Sequence, residues 1–135
     1  MLMLTYFYKF INRLKSSPAR KNKLILIPFI LATLFNLTIW SLIYFKFRPY
    51  VYNLPDDQSF IPLHYNLYLG IDKFGHWQKI FYLPLTGFIF LLINAFIAQF
   101  VYNKKEILSY FVSILSALMQ IIILVATVFI ILINI

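Results

Sequence analysis

Three uncharged apolar stretches, residues 24–45, 80–102 and 107–135, occupy more than half of the 135-residue chain. Each reaches the roughly 20 residues that a helix rising about 1.5 Å per residue needs to cross the hydrocarbon of a bilayer. In a large soluble protein such segments could be core helices, but this chain has no other mass to bury them. Composition agrees, with 62% hydrophobic and 12% charged residues, against about a quarter charged in soluble domains. So short a soluble domain could not hide the excess, because much of its surface stays wet. Soluble enzymes are excluded on that ground, and intrinsic disorder by the high hydrophobicity. The lack of cysteine removes disulfides, thiolate metal sites and cysteine nucleophiles together. The expected fold class is an all-α integral membrane protein. It has three transmembrane helices, an N-terminal basic amphipathic interfacial helix and a compact extended outer loop.

The twelve lysines and arginines then report orientation. Lys9, Arg13, Lys15, Arg20, Lys21 and Lys23 precede the first span, and Lys104 and Lys105 sit in the 103–106 turn between the second and third. The other four share the 46–79 loop with Asp56, Asp57 and Asp72. This asymmetry predicts a cytoplasmic N-terminus and 103–106 turn, with the 46–79 loop and the C-terminus outside. Most of the net charge of +8 thereby becomes a topology signal, and no nucleic-acid partner is expected.

Residues 1–23 do not read as a cleavable signal peptide, because positive charge follows the first apolar residues and no small-residue cleavage site appears. Leu4, Phe7, Ile11 and Leu14 share one helical face, while Thr5, Lys9, Asn12, Arg13 and Ser16 share the other. Pro18 ends the pattern, since proline disfavours helical geometry in the residue before it. A basic amphipathic helix on the anionic lipid headgroups of the cytoplasmic leaflet is expected.

Inside a membrane, helices associate through small residues and polar contacts. Ser109, Ser113, Ser116, Gln120, Thr127 and Asn134 recur at steps of three and four, or of their sum, on the third span. The second span carries Gly87, Asn94 and Ala98 on one stripe, with Ala95 and Gln99 beside it, and the first carries Ala32, Thr33 and Asn36. At about 1.5 Å per residue, Asn36 and Gln120 lie roughly 18–20 Å from the cytoplasmic ends, and Thr33 and Asn94 roughly 12–14 Å. Amides at matching depths predict hydrogen bonds across a three-helix bundle. A polar conduit is disfavoured, because channels and carriers place ionisable groups in the membrane and these spans have none. Pro28 and Pro84 fall early in the first and second spans and are expected to mark helix starts.

The 46–79 loop holds both histidines and is too apolar to be a free solvent loop. Leu63, Tyr65, Leu67, Leu69 and Ile71 alternate with His64, Asn66 and Tyr68, which predicts one half-buried strand over 63–71. A lone strand leaves its backbone unpaired, so residues 51–54 are the expected partner. Gly70 and Gly75 read as turn markers. Trp40, Tyr44, Tyr50, Tyr52, Trp77 and Tyr82 are placed as an interfacial aromatic belt. His64, Asp72 and His76 form the weak candidate set for catalysis or for a metal. Their spacing matches no metal motif, and a loop-fixing role is the simpler expectation. No catalytic residue, bound metal or cofactor is expected.

One run in this loop has a specific likeness. Leu54-Pro55, then Ile61-Pro62-Leu63-His64-Tyr65-Asn66, then Gly70, Asp72 and Gly75, with Pro84 opening the next span, resembles a small bacterial membrane domain of unknown function. That domain also occurs in immunity proteins against the sporulation-delaying toxic peptide. In the family a transmembrane helix is followed by Leu-Pro, Ile-Pro-x-His-aromatic-Asn, Gly and Asp, then a helix beginning near a proline. His64 and Asp72 keep its eight-residue step, whereas the stretch between Pro55 and Pro62 is longer and Gly70 stands one place nearer the aspartate. The loop motif is thus Pro62, His64, Asn66, Gly70 and Asp72. The resemblance spans late first helix to early second helix. It implies a multi-pass protein of the bacterial cytoplasmic (inner) membrane, with an immunity-like or envelope-protective outer loop. The alternatives are an accessory subunit of a larger membrane complex or homo-oligomer, bound through the Ser109 to Asn134 seam, and an ion- or metal-handling membrane protein.

Overall fold

The computed structural model describes residues 2–15, 17–55, 60–66, 68 and 70–135, without side chains at 2, 3, 10, 13–15, 65, 66 and 72. The element order is α1 (Leu2–Lys15), a 3-10 turn (Pro18–Lys21), α2 (Lys23–Leu42), a π turn (Ile43–Phe47) and α3 (Arg48–Val51). A hairpin of β1 (Phe60–Asn66) and β2 (Gly70–His76) follows, then a 3-10 turn (Trp77–Phe81), α4 (Tyr82–Tyr102) and α5 (Glu106–Asn134). Three helical segments, Lys23–Val51, Trp77–Tyr102 and Glu106–Asn134, are long and apolar enough to cross a membrane. In the most apolar window of each, 22% or fewer of the residues are buried within the protein. So much exposed Leu, Ile and Phe surface is stable only against lipid. The chain is an all-α, multi-pass membrane protein.

Asn22 caps α2, its side-chain oxygen accepting from the Leu24 N–H at 2.9 Å. Two local expectations are met for the stated reasons. Pro84 is the third residue of α4, where its missing N–H had no helical partner. The helical pattern of the N-terminal segment ends at Lys15, ahead of Pro18.

Other expectations are corrected. Pro28 lies inside α2, at its sixth residue, and does not mark the helix start. The capping Asn22 sets the start instead, nearly two turns earlier. The first span does not end at residue 45 but continues helically to Val51. Pro49 explains how: its ring would clash with the carbonyl four residues back. The wider π turn before it lets the Arg48 N–H bond to Ile43 O instead. Residues 51–54 therefore do not pair with the loop strand, because Val51 closes a helix.

The predicted single strand is also two. Gly70, at φ +73, turns the chain, and β2 folds back antiparallel on β1. The alternation over 63–71 therefore belongs to two strands and the turn between them. Gly75 does not turn. It pairs with Ile61 inside the ladder, and its absent Cβ leaves room for Leu63 Cδ1, 2.6 Å from where a Cβ would stand. Pro62 is tolerated because a two-stranded sheet has only edges, and the ladder is irregular on both sides of His64.

The core is layered along the bundle axis. At the hairpin end, Ile39, Ile43, Phe47 and Val51 recur every fourth residue and pack with Ile61 of β1 and Ile80. At the opposite end, Ala19, Ile25 and Tyr102 form a smaller cluster with Phe29 and Tyr110. Between these layers the interior is polar.

Candidate functional site

That polar layer is where the seams meet. Ser109, Ser113, Ser116, Gln120 and Thr127 are all buried on one face of α5. Asn36 of α2 donates to Gln120 Oε1 at 3.1 Å and to the Pro84 carbonyl at 2.9 Å. Gln120 Nε2 donates to the Gly87 carbonyl at 2.7 Å. Asn94 donates to Ser116 Oγ at 3.0 Å, and Ser109 Oγ to the Ala98 carbonyl at 2.7 Å. Ser113 turns back onto its own helix, donating to Tyr110 O at 2.8 Å. Gly87 makes the approach possible: a Cβ there would sit 2.8 Å from Gln120 Oε1 and 3.1 Å from Asn36 Nδ2. Among the described residues, no buried side-chain polar atom lacks a partner. These donors are all spent on acceptors within the protein, most of them across helix contacts.

Thr33 is the exception among the seam residues. It is exposed and donates to Phe29 O of its own helix at 2.8 Å. Ser109, Ser113, Ser116, Gln120 and Thr127 of the α5 seam are buried inside the bundle.

The chemistry-bearing loop residues sit on the hairpin. Pro62 pairs with Phe74, His64 with Lys73, Asn66 with Gly70, and His76 with Phe60. His64 and His76 are both exposed and stand three ladder positions apart, roughly 10 Å along the strand. The His76 ring lies 4.2 Å from that of Phe60. Asp72 is a β2 residue, and its side chain, like that of Asn66, lies outside the described residues. Among the described residues, no three His, Cys, Asp or Glu side chains gather as a metal site.

The hairpin is fastened to the bundle. Asn134, one residue from the C-terminus, donates to the Pro62 carbonyl at 3.0 Å as well as to Ile130 O of its own helix at 2.8 Å. Ile61 is 4% exposed and anchors β1 in the outer apolar layer. The aromatic residues expected as a belt gather at this end: Trp40 lies 5.9 Å from Phe81, and Tyr52 lies 6.5 Å from Trp77. Arg48 lies over both Tyr44 and Tyr52, at 4.9 and 5.5 Å from the ring centroids.

Sequence reasoning missed the clasp at the other end. Asn22 Nδ2 donates to the hydroxyls of Tyr102 and Tyr110, each at 2.9 Å, and Ser17 Oγ to Gln99 O at 3.4 Å. An Asn directly before an apolar run is an N-cap signal; the two tyrosine partners, some 80 residues away, leave no local trace. The chain matches no protein-family model, no curated protein and no solved structure.

Proposed function

We propose that this is a small, non-enzymatic protein of the bacterial cytoplasmic membrane whose outer hairpin recognises or shields against an external agent, in the manner of an immunity protein. The single observation that carries the reading is the location of polar chemistry. The interior amides are consumed by helix packing, and both histidines are exposed on one hairpin held to the bundle by Asn134. A fixed hairpin with exposed His64 and His76 suits recognition at the membrane surface better than transport through it. The lysine and arginine asymmetry supports a hairpin on the outside, with the N-terminus and the 103–106 turn in the cytoplasm.

On the cytoplasmic side α1 lies along the leaflet. Leu4, Phe7 and Tyr8 are exposed and enter the acyl boundary, while Lys9 meets anionic headgroups. The lipid bilayer is thus the principal partner, and no metal or cofactor takes part.

The resemblance of the Ile61 to Asn66 run selects the test. A strain lacking the gene is challenged with the sporulation-delaying toxic peptide and complemented by wild type, His64→Ala or Asp72→Ala. The deletion should sensitise cells, and both variants should fail to protect at normal membrane levels. Unchanged resistance of the deletion strain, or full protection by both variants, would overturn the immunity reading.

A further inference from the structure

The clasp at the N-terminal end of the bundle has a consequence beyond stability. α5 packs more extensively on α2 and on α4 than these two do on each other. The 3-10 turn Pro18–Lys21 contacts both α2 and α4, held there by Ser17, Asn22 and the buried Ala19. Below it a crevice of about 310 Å³ remains between the two helices. Its walls are Leu26 and Phe29 of α2 and Ala95 and Gln99 of α4, with Arg20 at its rim. The small side chain of Ala95 leaves the depression open. Phe29 stands six residues along α2 from Lys23, so the crevice runs roughly 9 Å into the membrane, over half of one hydrocarbon leaflet of about 15 Å.

The geometry points to a binding site for one anionic phospholipid, its phosphate on Arg20 and an acyl chain between Leu26, Phe29 and Ala95. This rests on the reading of the N-terminal segment as lipid-facing, and it names the residues that select the lipid. Charge complementarity supports this occupant. Arg20, Lys21 and Lys23 are all exposed at this end of the bundle, while three of the four acidic residues belong to the 46–79 stretch of the sequence. Basic pockets between transmembrane helices take anionic headgroups, and the planar guanidinium can meet two phosphate oxygens at once. A second helix is a poorer occupant, since one about 10 Å across would need roughly 700 Å³ over the same depth.

The test uses the full-length protein in detergent and native mass spectrometry, with phosphatidylglycerol and phosphatidylcholine of identical acyl chains. Wild type should retain one phosphatidylglycerol at least five-fold better than phosphatidylcholine, and inorganic phosphate should not compete. Arg20→Gln should remove the preference, Arg20→Lys should keep part of it, and Lys104→Gln, at the same end of the bundle, should leave it unchanged. Ala95→Phe should block retention of either lipid. Should that variant fail to fold, Leu26→Trp, on the crevice wall, is the second way to fill the site. Equal loss in Arg20→Gln and Lys104→Gln would mean diffuse charge attraction and would overturn the site, as would wild-type retention in the filled variants. These outcomes are independent of peptide resistance, which reads the hairpin at the other end.

Discussion

Asn36 and Gln120 stand 84 residues apart in sequence and meet at 3.1 Å within the membrane-spanning part of the bundle. Asn36 also reaches the Pro84 carbonyl and Gln120 the Gly87 carbonyl, so two side chains tie three helices together. Lipid competes poorly for these groups, and apolar burial gives the helices no preference for one another over lipid. The amides therefore set which faces meet, and the buried serines of α5 let them approach.

A double-mutant cycle on Asn36→Leu and Gln120→Leu should show a coupling of about 0.6–2 kcal/mol in unfolding from mixed micelles. Asn36→Leu alone leaves Gln120 Oε1 without its bond, so it should cost more than its loss in the Gln120→Leu background. Additive losses would mean that the two amides do not bond in the membrane.

Gly87 and Gly70 should respond to alanine for different reasons. At Gly87 the new methyl meets Gln120 Oε1 at 2.8 Å and Ile123 Cδ1 at 3.0 Å, and overpacking of this kind costs about 1–3 kcal/mol of bundle stability. At Gly70 nothing lies within 4 Å of the new methyl, but φ is +73. There the penalty of about 1–3 kcal/mol is backbone strain, confined to the hairpin. Equal effects of both changes on helix unfolding would contradict this division.

The three spans, and the amides that join them, were legible because their causes are local. Uncharged length specifies a span, and polar residues at helical spacing specify a face. Asn36 and Gln120 could even be matched by depth. The loop was harder. Alternation over 63–71 carries no information on where a chain reverses, and the turn marker at Gly70 falls inside the alternating run, which hides that the run is two strands. The helix continuing to Val51 was missed because Pro49 reads as a breaker, whereas a π turn accommodates it. The Asn134 contact with Pro62 joins residues 72 apart, a pairing no periodicity reports.

That contact sets a third prediction. Asn134→Leu should leave bundle unfolding nearly unchanged, because the hydrogen bond to Ile130 O is an extra within α5. It should loosen the hairpin by about 1 kcal/mol, the net worth of one hydrogen bond. Amide exchange in β1 should then quicken roughly five-fold, while α4 and α5 keep their protection. Unchanged exchange in β1 would show that Ile61 alone holds the strand.

Asn22 supports both a helix cap and two tyrosine hydroxyls. Asn22→Ala should cost about 1–2 kcal/mol, including the cap. Tyr102→Phe combined with Tyr110→Phe should lose less, because the cap survives. A larger loss in the double phenylalanine variant would assign the stability to ring packing instead, the two rings lying 6.4 Å apart.

The functional reading depends most directly on which side of the membrane carries the hairpin. The chain has no cysteine, so single substitutions report position cleanly. Lys73→Cys on β2 and Lys104→Cys in the α4–α5 turn can be treated with a membrane-impermeant maleimide in intact cells. Labelling of Lys73→Cys with protection of Lys104→Cys until lysis is the expected result. The reverse pattern would put the hairpin in the cytoplasm and contradict recognition of any external agent.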